Sequence, residues 1–222
     1  MTDIELRKVL AECLPENTLK RNGQILYSGI ETLRPAKFYF VGFNPAEDDS
    51  NLPLCSVPLN RRRWSAYTQQ CWYHPRCDPT VCPDFKMRPH QQRVQGIMRE
   101  LGAIPEETFA TNLIFVESRS AREIYDPALF EICWRVHKKM LAVVKPQFVV
   151  CLGNGERLSA FSLVRRKADY REKNAACRTF KSFVGTFHLD NGLELTANVV
   201  GVHHPSYPMS PNGLQHWVSQ NS

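Results

Sequence analysis

Lys37-Phe38-Tyr39-Phe40-Val41-Gly42-Phe43-Asn44-Pro45 is the stretch whose reading decides the fold of this chain. Its apolar run reads as a strand, and Gly42 to Pro45 supply the turn that ends it. A second strand-turn pair lies far along the chain, where Val199-Val200-Gly201-Val202 runs into His204-Pro205-Ser206. Open α/β folds place their ligand crevice beyond the carboxyl ends of the strands. An amide and an imidazole are therefore expected to face one pocket.

The segments between these two signals alternate in type. Thr2 with Glu5 forms a capping box before Ile4, Val9, Leu10 and Cys13, so the chain opens with an amphipathic helix. Val94, Ile97, Met98 and Leu101 share a helical face that Gly102 stops, and residues 108–116 read as the next strand. Asp126-Pro127 supplies the N-cap and first-turn proline of a long helix that ends at Lys145-Pro146. Phe148 to Leu152 is a buried strand, followed by Gly153-Asn154-Gly155 and a helix reaching about Leu163. After a charged linker, Phe183 to Leu189 and Leu193 to Thr196 flank Asp190-Asn191-Gly192 as a hairpin before the last strand, Val199 to Val202. This β-α-β-α-β order predicts a parallel, helix-covered sheet with an antiparallel excursion near its end. No internal repeat or low-complexity tract is visible.

At 222 residues the chain is expected to form one domain, residues 1–222, interrupted by a Cys/Arg-rich insertion at about 46–89. Its apolar runs fall far short of the roughly 20 residues that cross a membrane. The amino terminus lacks a basic region followed by an apolar one, so a reducing cytoplasm is the expected location and the cysteines are read as thiols or ligands. The formal net charge is +6, with basic clusters at Arg61-Arg62-Arg63, at Arg165-Arg166-Lys167 and around Arg119 and Arg122. Such clusters suit either a polyanion or a solvated face.

Asn44-Pro45 alone is only a turn dipeptide, and His204-Pro205-Ser206 alone says no more. Their joint placement after strands carries weight, because Thr111-Asn112-Leu113 brings a further amide to the same edge. In this arrangement the chain resembles the uracil-DNA glycosylase superfamily. Gly42-Phe43-Asn44-Pro45-Ala46 is similar to the Gly-x-Asn-Pro-Gly motif of its mismatch-specific and single-strand-selective branches, and His204-Pro205-Ser206 to its second motif. The similarity spans residues 23 to about 217. It implies a three-layer α/β/α fold around a mostly parallel four-stranded sheet.

The resemblance also implies roles. Asn44 would orient the attacking water, and His204 would donate a hydrogen bond to the carbonyl oxygen of the departing base. Gly42, Phe43, Pro45 and Ala46 would shape the base pocket, and Asn112 would bond the base edge or simply satisfy strand ends. Pro205, Ser206, Tyr207, Met209 and Ser210 would contact DNA, with Ser206 on a phosphate and Met209 or Tyr207 as the wedge that fills the vacated stack. Tyr207 is an additional residue between Ser206 and Pro208 relative to the motif. The stacking ring would come from Phe43, Trp64 or Tyr67, whereas Trp72 and Trp217 are read as packing residues. His203 alternates to the other face.

Ala46 stands where the stringent uracil-specific branch has a tyrosine that excludes a C5 methyl, so C5-modified pyrimidines are expected to enter. Glu47, Asp48 and Asp49 follow, either as acceptors for a hydroxyl-rich substituent or as solvated charges. The implied activity is a monofunctional DNA glycosylase acting as a monomer. The alternatives are excision of hypermodified cytosine in phage defence, an inactive nucleic-acid reader, or a nucleoside hydrolase. No lysine matches a Schiff-base position, so strand cleavage by the enzyme itself is not expected. The chemistry requires no cofactor. Cys71, His74, Cys77 and Cys82, spaced C-x2-H-x2-C-x4-C, are read as a structural zinc site or as reduced side chains in a loop, while Cys13, Cys133 and Cys151 fill core.

Overall fold

The computed structural model describes residues 1–48, 51–72, 86–173, 180–207 and 213–222. Its amino-terminal part comprises α1 (Asp3–Cys13), α2 (Glu16–Leu19), β1 (Asn22–Gly23), β2 (Phe38–Gly42), β3 (Leu52–Pro53), α3 (Ala66–Gln69) and α4 (Pro89–Glu100). There follow β4 (Phe109–Asn112), α5 (Ala121–Ile124), α6 (Pro127–Val144), β5 (Phe148–Leu152) and α7 (Ala160–Arg165). β6 (Asp169–Lys173), β7 (Phe180–His188), β8 (Glu194–Val202) and α8 (Leu214–Gln220) complete the order. The central sheet runs β4-β2-β5-β8-β7-β6, and β1 pairs with β3 in a separate two-residue ribbon. β4, β2, β5 and β8 are mutually parallel; β7 and β6 join antiparallel.

The period-2 alternation of strands sorts the core into two layers. Tyr39, Val41, Val149, Cys151 and Val199 face one side, with α1, α6 and α7 packed over them. Phe38, Phe40, Phe148, Val150, Val200 and Val202 face the other, beneath α3, α4 and α8. Helices thus flank both faces of a mixed, mostly parallel sheet. Local chemistry sets the helix ends. Thr2 and Glu5 form the expected capping box, and the Asp126 carboxylate accepts from the Ala128 N–H at 2.8 Å before Pro127 starts α6.

The sheet has six strands among the described residues where four were expected. The charged segment read as a linker forms β6, an edge strand, where a solvated face tolerates Asp169, Arg171 and Tyr170. The hairpin is also longer than its sequence pattern, since β8 carries Glu194 through Val202 without interruption. The described part of the insertion belongs to the core, with Leu54, Leu59, Ala66 and Tyr67 all buried. Of the proposed zinc ligands, Cys71 is buried, and His74, Cys77 and Cys82 lie outside the described residues. Cys133 and Cys151 are buried in the core, and burial pushes the Cys133 thiol up to about 12, so it stays protonated. Among the described residues no helix is long and apolar enough to cross a membrane.

His137, only 1% exposed on α6, locks the helix to the sheet. Its Nε2 lies 3.2 Å from the Leu113 carbonyl, an acceptor only, so Nε2 carries the proton and Nδ1 accepts from the Tyr39 hydroxyl at 2.7 Å. Burial drops its pKa from 6.5 to about 4. Between those values the unfolded chain binds a proton that the folded chain refuses, so stability rises with pH, by up to about 1.4 kcal/mol per unit from this group. The stability is complete above pH 6.5 and is lost as pH falls toward 4. The denaturant midpoint is expected to drop between pH 7 and pH 5; an unchanged midpoint would remove this role for His137.

Candidate active site

The four parallel strands end on one edge, and the chain leaves β2 toward β4 on one side while β5 lies on the other, which makes the end of β2 a topological switch point. Gly42 closes β2 directly opposite Asn112 at the end of β4. A Cβ on Gly42 would sit 2.1 Å from Asn112 Oδ1, so only glycine leaves room for that amide. Asn112 is 5% exposed. Beside it lies the Tyr27 hydroxyl, whose pKa burial raises and the Asn112 amide partly restrains.

Asn44 follows β2 and is half-buried. Its Nδ2 donates to the Pro45 carbonyl at 2.6 Å and to Ser118 Oγ at 3.0 Å, while Ser118 Oγ gives its own proton to the Ser120 carbonyl at 2.8 Å. Both partners therefore accept, and chemistry alone orients the amide. Among the described residues nothing bonds Oδ1, which is left to accept from a ligand or water. The loop itself is fastened along residues 117–119. The Ser118 N–H reaches the Pro45 carbonyl at 3.2 Å, the Glu47 N–H reaches the Ser118 carbonyl at 3.2 Å, and Glu47 pairs with Arg119 at 2.6 Å. Asn51 bridges the Ala46 carbonyl and Glu117. Ala46 is exposed, Pro45 is buried, and Asp49 lies outside the described residues.

His204 follows β8. The Ser206 N–H donates to its Nδ1 at 3.3 Å, so the imidazole carries its proton on Nε2, and among the described residues Nε2 has no partner. The residue as a whole is exposed, but partial desolvation of the ring against its neighbours lowers its pKa from 6.5, which favours the neutral form. The Tyr207 N–H bonds the His204 carbonyl at 3.0 Å, and Arg93 on α4 donates to the Pro205 carbonyl at 2.8 Å, fixing the turn. Pro205 is buried, Ser206 is exposed and Tyr207 is 68% exposed. Met209 and Ser210 lie outside the described residues.

A wall of rings joins the Asn112 end of this edge to the His204 end. Tyr27 meets Trp72 at 6.4 Å between ring centres, Trp72 meets His90 at 5.6 Å, and His90 meets His204 at 5.4 Å. Tyr67 packs behind, 5.7 Å from Tyr27 and 6.0 Å from Trp72. Gln91, fully buried on α4, holds this wall by donating to the Ala66 and Gln70 carbonyls. Burial, then the neighbouring His204 and Arg93, lower His90 to about 4, so it too is neutral.

Among the proposed stacking rings, Tyr67 is buried behind this wall, Phe43 is buried on the α1/α6 side, and Trp64 carries Arg61 over its face at 4.3 Å. Trp217 packs against Phe148 and Phe180. Tyr27, His90 and Ser118 were missed from sequence. Ser118 carried no motif, Tyr27 sits outside any periodic run, and His90 falls at the start of a helix whose apolar stripe begins later. The chain matches no protein-family model, and no curated protein sequence matches it.

Proposed function

We propose that this protein is a DNA glycosylase that hydrolyses the N-glycosidic bond of uracil or a C5-modified pyrimidine and leaves an abasic site. One observation carries the reading: Asn44 Oδ1 and His204 Nε2–H, each oriented by its own backbone and hydroxyl partners, have no partner among the described residues and stand at one edge of a parallel sheet. The resemblance of the two motifs to the uracil-DNA glycosylase superfamily supports it. So does the spatial order of the parallel strands, with the first in sequence second from one end and helices over both faces, an arrangement compatible with that superfamily's three-layer fold.

The ends of β2 and β8 are separated by one strand, so they stand about 10 Å apart, room for one everted base. The C1′–N bond breaks with its electron pair leaving on the base. His204 Nε2–H stabilises the negative charge that gathers on the base carbonyl oxygen, as preorganised donors do for oxyanions. Water held by Asn44 Oδ1 adds its oxygen to C1′, and its surplus proton passes to the departing base or to solvent. An amide is a weak base, so the water is oriented rather than deprotonated before the bond opens. Asn112 with Tyr27 presents the polar groups that a wrong base would leave unpaired. The ring wall offers a face for stacking.

Ser118 is a positioning residue in this scheme. Ser118→Ala removes the acceptor that fixes the Asn44 amide, a neutral hydrogen bond worth about 1 kcal/mol, so kcat is expected to fall about fivefold with KM unchanged. Ser118→Thr keeps the oxygen and is expected to restore the rate. Equal kcat in the alanine variant and the parent would discard this role.

Exposed Ala46 supports a second substrate reading, hypermodified cytosine, since no bulky side chain stands at that position. Oligonucleotides containing uracil, mismatched thymine, hydroxymethylcytosine or glucosylated cytosine, followed by alkaline cleavage, test both. Alkali-labile product from one member of the panel is expected. Binding without product from any member would favour a reader, and hydrolysis of free nucleosides alone would favour a nucleosidase.

A further inference from the structure

On the opposite side of the loop that follows β5 lies a cavity of about 500 Å³, lined by Gly155, Glu156, Arg165, Arg166, Tyr170 and Lys181. The loop is shared with the candidate active site. A Cβ on Gly153 would lie 3.7 Å from His204 Cδ2, while Gly155 and Glu156 form part of the cavity wall. Its floor is Phe161, whose ring fills the space above Gly201 on β8, where any Cβ would sit 2.5 Å away.

Three of the lining residues are cationic and one is acidic. Glu156 pairs with Lys181 at 3.1 Å. Arg165 lies over the Tyr170 ring at 4.4 Å and donates to its hydroxyl at 2.7 Å, so guanidinium and phenol form a layered planar surface. Tyr170 is 44% exposed on the edge strand. Arg166 is held by the Tyr125 hydroxyl at 3.0 Å and the Arg157 carbonyl at 3.2 Å. A structural ion-pair network would set an acid against each cation; here Arg166, among the described residues, is held by neutral oxygens alone, and its charge stands beside an exposed ring. That pairing of charge with a stacking surface suits a nucleotide, whose phosphate meets the cations and whose base continues the layers.

We propose that this cavity binds a nucleotide of the DNA strand flanking the target base, a proposal that rests on the glycosylase reading for what occupies the neighbouring site. β6 lies two strands beyond β8, about 10 Å away, which about three stacked nucleotides span at about 3.4 Å each. The cavity therefore acts on a strand that reaches past the target, and it contributes grip rather than chemistry.

The test measures binding by fluorescence anisotropy with single-stranded oligonucleotides carrying the target base and either one or six flanking nucleotides on each side. Abasic product is scored on the same substrates. The parent is expected to bind the longer strand more tightly, and Tyr170→Ala or the double variant Arg165→Gln, Lys181→Gln to lose at least about fivefold of that affinity. The double variant should also show a shallower salt dependence, with single-turnover cleavage at saturating enzyme unchanged. Longer-strand affinity equal in parent and variants would overturn the proposal, even with product formation intact. Variant-sensitive binding without abasic product from any substrate would sink the glycosylase reading and leave the cavity as a nucleotide site. No binding of either strand would overturn both.

Discussion

His204→Ala is expected to slow base release by about 10²–10³-fold under single-turnover conditions while leaving affinity for DNA nearly unchanged. The size of the effect follows from how the side chain is prepared. The Ser206 N–H occupies Nδ1, the proton must sit on Nε2, and partial desolvation of the ring favours its uncharged form. A donor aligned before reaction costs no reorganisation when charge develops on the base oxygen, so its loss falls on the transition state and spares the ground state. The rate should be flat above neutral pH, because the working form is the neutral ring, and should change on the acid side only as the imidazole protonates below 6.5. Less than a threefold loss in the alanine variant would rule out His204 as the donor. A large loss of DNA affinity would assign it to binding instead.

Asn44→Ala is expected to cost about 10²-fold in the same assay, since a misplaced water loses the proximity that an anchored acceptor provides. Asn44→Asp separates the two halves of the amide. The carboxylate keeps an acceptor for water but replaces the donor that reaches Pro45 and Ser118, and its second oxygen faces the Pro45 carbonyl at the 2.6 Å now bridged by a hydrogen. Its activity should fall between those of the parent and the alanine variant. Parent-like turnover in Asn44→Ala would remove the water-positioning role and with it the proposed chemistry. Thermal unfolding of each variant distinguishes a lost contact from a lost fold.

Much of the sheet was legible because its signals are local. The apolar runs ending at Val41, Leu152 and Val202 emerged as parallel strands, and the caps at Thr2 and Asp126 began helices where their side chains could reach the first free N–H groups. β6 was missed because Asp169-Tyr170-Arg171-Glu172-Lys173 is polar in composition, and only its pairing with β7 makes it a strand. The insertion at 46–89 carries no period to mark it as core, yet Tyr67 and the bond from Gln91 on α4 to the Ala66 carbonyl tie its described part to α4 and the sheet.

By itself the sequence determined where β2, β5 and β8 stop and which polar residues follow them, because alternation, glycine and proline act over a few neighbouring residues, whereas β4, read as running to Val116, stops at Asn112. Only the tertiary structure decided which atoms of those residues are free to act. The Asn44 amide is turned by a serine 74 positions away, and the His204 turn is held by an arginine 112 positions from Pro205. Hydrogen-bond direction depends on which partner can only accept, and no local pattern records a partner that folding alone brings near.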